Sequence, residues 1–232
     1  TMPKRLRSQE RYELECTCNN LVPKCNVWGK TIEYIINNDE ESLSKKFNYL
    51  SDKIYKNHGN KILIVDSSQS DLDSSISLSK EYEIKVILLT KDIRSWVISY
   101  EKKYNRNILR NIFTWYFVNR KIEKFLKRNN LDFIKVGYEE FALHTETILQ
   151  KVFSWLEINN EKNLLNLSES KSHIVAGNRM RLNKKNNSRI IYDSSWKSRK
   201  SNIFRNLLFK PFYSRNNELV YSNINKKIKY DK

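Results

Sequence analysis

Glycine is scarce in this 232-residue chain: Gly29, Gly59, Gly137 and Gly177 are all it has. No two are close enough to build a G-x-G-x-x-G turn or a Walker-type phosphate loop. That disfavours dinucleotide-binding dehydrogenases and loop-bearing kinases, unless a phosphate loop lies upstream of residue 1. Long apolar runs are missing as well. None approaches the roughly 18 residues that a membrane helix needs, and no signal peptide is visible. The chain opens Thr1-Met2-Pro3 within a basic stretch, which reads as a cut rather than a natural start, so the missing leader says little.

Cysteine is rare and odd in number: Cys16, Cys18 and Cys25. An odd count argues against a disulfide scaffold. Three thiols do not complete a four-ligand zinc site, and His58, His144 and His173 are all distant along the chain. The expectation is therefore a structural role for the cysteines and no stoichiometric metal. Acidic residues are short in one region only. Residues 171–232 hold 16 Lys/Arg against 3 Asp/Glu, which places +13 of the net +17 in the last quarter. Polyanionic partners follow as a possibility from that charge; a genome biased toward Lys, Asn and Ile codons would give the same balance.

What is present argues for a folded protein. Hydrophobic residues make up 39% and aromatics 12%, enough for one domain with a substantial core. The expected organisation is a single domain over 1–232: a basic, cysteine-bearing segment at 1–25, an α/β core at 26–170, and a loop with a basic helix and tail at 171–232. Trp28, Ile32, Ile35 and Ile36, then Leu43, Phe47, Leu50 and Ile54, recur at helical spacing. His58-Gly59-Asn60 is a stop signal. Residues 61–65, 84–89 and 132–136 read as short buried strands. Helices are expected from about Asp92, from Leu109 to Arg128 with Phe113, Phe117, Ile122 and Phe125 near one face, and from Thr145, as cap, to Leu156. Strands alternating with helices predict an α/β fold with a mostly parallel sheet. Ligands in such sheets bind beyond the carboxyl ends of the strands. Asp66-Ser67-Ser68, Lys91-Asp92 and Tyr138-Glu139 each follow an expected strand and so should gather on one edge.

The Lys91–Ser99 segment suits a phosphate. A helix start offers unpaired N–H groups and the positive end of a dipole, and Lys91 and Arg94 add full charges. Further on, His173-Ile174-Val175-Ala176-Gly177-Asn178-Arg179-Met180-Arg181 combines a permissive glycine, an asparagine that tolerates a left-handed backbone, and an arginine able to fork onto phosphate oxygens. His173 reads as a structural hydrogen-bonding residue rather than a base. Asp66-Ser67-Ser68 could equally be an Asx-turn.

Taken in order, these elements resemble the sulfotransferases that use 3′-phosphoadenosine 5′-phosphosulfate (PAPS). That family shows an arginine at a strand end, an Asp beside it and a serine eight residues on; here Lys91 replaces the arginine, while Asp92, Arg94 and Ser99 fit. Tyr138-Glu139 resembles the family's Tyr-Glu pair beside the nucleotide. The His173–Arg181 loop, Cys16-x-Cys18 with Cys25-x-x-Trp28, and the Ile190–Tyr213 region resemble one bacterial-type branch. The resemblance implies a P-loop-like sheet flanked by helices, PAPS as donor, and Lys91, Ser99, Tyr138, Gly177, Asn178 and Arg181 as nucleotide-binding residues. Asp66 is the candidate general base. No metal, no membrane span and no specific nucleic acid are implied; the acceptor would be a hydroxyl or amine on a carbohydrate, lipid or other small molecule, and the location cytoplasmic. The family's N-terminal loop for the 5′-phosphosulfate has no counterpart in residues 1–25, so the fold is expected to be incomplete at its N-terminus and the chain inactive as given. Two other readings stand beside this one: a basic nucleic-acid-binding protein, with the tail from Trp196 to Lys232 as its surface, and a non-catalytic relative that keeps half of the nucleotide site.

Overall fold

Aliphatic runs at Lys85–Thr90 and Asp132–Gly137 form the two strands of a parallel sheet, β1 and β2, with Lys85 facing Asp132 and Thr90 facing Gly137. The computed structural model describes residues 8–59, 63–66, 72–105, 107–159, 172–175, 182, 192, 194 and 207–224. The fold is α/β and predominantly helical. It comprises two compact units: Thr1–Glu83 with Asn163–Arg189, and Ile84–Lys162 with Ile190–Lys232.

In the first unit, α1 (Trp28–Asn37) and α2 (Leu43–His58) follow from the apolar spacing of their sequences. Ser42 caps α2 by accepting from the Lys45 N–H, and Gly59 ends it at φ 85°, a backbone state that suits glycine. Ile32 packs with Cys16, Val22, Cys25, Val27 and Val175, and Ile36, Leu50 and Ile54 lean on that cluster. A short helix, α3 (Leu72–Leu78), lies in the serine-rich stretch where none was expected. Of the strand expected at 61–65, the described residues 63–65 are outside any strand, with Leu63 49% and Val65 76% exposed; Lys61 and Ile62 lie outside the described residues. Aliphatic residues alone do not make a strand; they also need a partner to satisfy the backbone, and the described sheet consists of β1 and β2.

In the second unit, β1 leads through α4 (Ile93–Tyr104) and α5 (Ile108–Arg128) to β2, a parallel crossover. Asp92 and Asn107 cap the two helices through their side chains. The buried face of α5 carries Ile112, Trp115 and Leu126, whereas Phe113 and Phe117 are about half exposed. Ile122 and Phe125 of the expected face pack against the core, but in the first half of α5 Trp115 turns inward in place of Phe113 and Phe117 and donates from Nε1 to the Lys91 carbonyl at 2.9 Å. After β2 come α6 (Tyr138–Leu143) and α7 (Thr145–Leu156), and near the C-terminus α8 (Tyr213–Val220). Thr145 is not the cap of α7: His144 holds that position, and the Thr145 hydroxyl donates to the Phe141 carbonyl. Phe141 packs against Val136, Ile148 and Val152, as its apolar character suggests. Gly137 permits close approach of α8. A Cβ built there would lie 1.7 Å from the Val220 carbonyl oxygen.

Candidate functional site

The carboxyl ends of β1 and β2 are adjacent because Thr90 pairs with Gly137, and the next residue on each chain is Lys91 and Tyr138. Lys91 places its ammonium 5.1 Å from the centre of the Tyr138 ring. Both side chains are half-buried, and Ser99, two turns along α4, is exposed. Two expected nucleotide residues from distant segments thus meet on one sheet edge, and a third lies on the helix that leaves it.

Beneath them is a buried network of acids. Asp92 is fully buried; Oδ1 accepts from the Arg94 N–H at 2.9 Å and Nε at 3.0 Å, and Oδ2 from Arg94 Nη2 at 2.9 Å, Asn216 Nδ2 at 3.0 Å and the Tyr221 hydroxyl at 2.9 Å. Burial pushes the Asp92 carboxyl up, but the guanidinium and amide donors outweigh it and hold it below the usual carboxylate range. Glu139 accepts the Asp92 N–H on Oε2 at 2.8 Å, while its buried Oε1 has no hydrogen-bond partner among the described residues. Burial, with the Asp92 charge adding to it, raises Glu139 to about 7. Glu140 accepts the N–H groups of Asn223 and Ile224.

This network alters the expected phosphate chemistry. The first donors of α4 are already used: Asp92 N–H goes to Glu139, Ile93 N–H to Asn216 Oδ1 at 2.8 Å, and Arg94 N–H to Asp92. Arg94 is committed to Asp92 as well. The helix start therefore does not present these amides to a ligand, and cationic recognition at this edge falls to Lys91. The acids act as positioning residues that lock the edge. Asn216 and Tyr221, which complete that lock, were not singled out by the sequence; buried acids next to a strand end are the signal that polar partners from elsewhere must meet them.

Asp66 is exposed and belongs to the first unit, and the described residues before it, 63–65, are outside any strand. Gly177, Asn178 and Arg181 lie outside the described residues. Compared with family models, curated proteins and solved structures, the chain matches none. No helix among the described residues is long and apolar enough to cross a membrane.

The first unit holds a second constellation. Cys16, Cys18 and Cys25 meet His173, and the four donor atoms all lie within 4.8 Å of one another. The histidine that was distant along the sequence is a neighbour in space. Thr17 brings it there: its N–H donates to the Ile174 carbonyl at 3.2 Å, its hydroxyl donates to the Ser172 carbonyl at 2.6 Å, and its oxygen accepts the Ile174 N–H at 2.9 Å. Trp28 Nε1 donates to the His173 carbonyl on the other side.

Proposed function

We propose that this chain carries the nucleotide-binding part of a PAPS-dependent sulfotransferase, on a P-loop-like α/β fold, with Lys91, Ser99 and Tyr138 lining the 3′-phosphate and nucleotide side. The observation that carries the reading is the meeting of Lys91 and Tyr138 at the carboxyl edge of two adjacent parallel strands, the place where open α/β sheets take ligands. Lys91 would neutralise the phosphate as a point charge, Ser99 would donate a hydroxyl hydrogen bond, and the Tyr138 face would lie beside the base or ribose. The sulfotransferase resemblance also assigns Gly177, Asn178 and Arg181 to nucleotide binding; they lie outside the described residues. Sulfonate transfer itself would depend on holding donor and acceptor in line and on neutralising charge on the transferred oxygens. The full reaction also needs a site for the 5′-phosphosulfate and a base for the acceptor proton.

Variants test the reading. A charge-assisted contact to phosphate contributes on the order of 1.5–3 kcal/mol, so Lys91→Ala should weaken adenosine 3′,5′-bisphosphate binding about 10- to 150-fold. Ser99→Ala should weaken it less, and neither should alter binding of adenosine 5′-phosphate, which lacks the 3′ group. A nucleic-acid-binding protein would instead lose affinity on removal of Lys226 and Lys227, and would bind arbitrary DNA with a steep dependence on salt. Losses confined to those tail variants, or equal losses for both nucleotides, would overturn the assignment.

A further inference from the structure

The Cys/His constellation of the first unit has the donor set, geometry and support of a metal centre. Tetrahedral zinc with Zn–S near 2.3 Å and Zn–N near 2.0–2.1 Å requires donor separations of about 3.8 Å between sulfurs and about 3.6 Å between sulfur and nitrogen. Cys16 and Cys25 Sγ are 3.7 Å apart, and His173 Nδ1 lies 3.9 Å from Cys16 Sγ and 3.2 Å from Cys25 Sγ. Cys18 lies within 4.8 Å of the others, within reach of a small side-chain rotation. We propose that Cys16, Cys18, Cys25 and His173 form a closed, structural zinc site.

Three thiolates and one imidazole make a borderline-soft set suited to zinc. All four positions are filled by protein, and Cys16 and Cys25 are buried, so the centre would stabilise the fold rather than activate water. Zinc with three thiolates leaves one net negative charge. N–H groups are aimed at the sulfurs: Trp28 N–H lies 3.4 Å from Cys25 Sγ, and Asn20 Nδ2 lies 3.6 Å from Cys18 Sγ. Such outer partners orient and tune metal ligands. The turn that presents the first two cysteines is itself fixed, since Asn19 adopts φ 66° and donates its N–H to the Cys16 carbonyl.

The position also accounts for a need. The apolar cluster around Ile32 has six buried members, two of which are the cysteines Cys16 and Cys25. A core that small gains from a staple. Metal binding would join residues 16–25 to the segment carrying His173, 148 positions beyond Cys25, so the binding free energy would become folding free energy. A disulfide serves less well: 3.7 Å between Cys16 and Cys25 is far from a bond of about 2.05 Å, and it would leave Cys18 and His173 unexplained.

The test uses the full chain, produced without an affinity tag and with zinc supplied. Elemental analysis should give one zinc per chain. Cobalt(II) added to the chelator-stripped protein should produce the visible bands of tetrahedral cobalt together with thiolate-to-cobalt charge transfer. All three thiols should resist a thiol reagent until a chelator removes the metal. His173→Cys should keep a stoichiometric, four-thiolate site with shifted cobalt bands, and His173→Ala should lose it. Wild-type protein with substoichiometric zinc and no thiolate-to-cobalt band would overturn the proposal. So would a Cys16–Cys25 disulfide found by mass spectrometry, or zinc retained in full after all three cysteines are changed to serine. An unchanged cobalt spectrum in His173→Ala would remove His173 as fourth ligand.

Discussion

Raising the pH across neutrality should weaken the second unit through one buried carboxyl, Glu139. Its Oε2 takes the Asp92 N–H, its Oε1 has no hydrogen-bond partner among the described residues, and its surroundings hold it at about 7 against an ordinary value of 4.5. The groups facing it are the Asp92 carboxylate, which disfavours its ionisation, the Lys91 ammonium, which favours it, and the Tyr221 hydroxyl, itself pushed upward by burial and by the same acids. Because the folded value lies above the unfolded one, the folded chain binds the proton more tightly. The associated stability is fully present below 4.5 and is lost as the pH rises through about 7. At about 1.4 kcal/mol per pH unit, the difference amounts to about 3 kcal/mol. Glu139→Gln keeps an acceptor for the Asp92 N–H and carries no charge, so its stability should stay nearly level where the wild type declines. Urea unfolding followed by tryptophan fluorescence, at several pH values from about 5 to about 8, reads this directly. The variant should be the more stable protein at the alkaline end. Parallel profiles for the two proteins, or a variant weaker throughout, would refute the account of Glu139.

Three further outcomes follow from the same geometry. Asp92→Asn retains a helix cap but leaves Arg94 without its carboxylate fork, and should cost about 3–5 kcal/mol in chemical denaturation. Gly137→Ala would drive a methyl group into the Val220 carbonyl, so α8 must shift and the melting temperature should drop, with a loss of about 1–3 kcal/mol. Burial pushes Glu123 up, but hydrogen bonds from Arg215, Lys127 and Lys135 hold it down at about 2, so it stabilises the fold above 4.5 and loses that contribution as the pH falls toward about 2. Acid unfolding of Glu123→Gln should accordingly show a shallower loss over that range than the wild type.

Periodicity made most of the local structure legible. The boundaries of α5 and β2 agree with the sequence to about one residue, as expected where apolar spacing and terminators coincide. Residues 63–65 were misleading because aliphatic content reports a wish for burial, while a strand also requires a neighbour, which only the fold supplies. The Lys91–Tyr138 pair was legible because both residues directly follow strands that turn out to be adjacent. The fate of the α4 amides was not. Nothing near Asp92 in sequence announces that Asn216 and Glu139, 124 and 47 positions away, will occupy that helix start. The same limit applied to His173, whose distance along the chain hid its place beside the cysteines.

The central claim is that the β1–β2 edge recognises a nucleotide through its 3′-phosphate, and titration calorimetry of the wild-type chain tests it most directly. With protein, buffer and salt held constant, adenosine 3′,5′-bisphosphate should bind at one site per chain and at least about tenfold more tightly than adenosine 5′-phosphate, the ratio expected of one charge-assisted phosphate contact. Equal affinities, or heat for neither nucleotide, would contradict it.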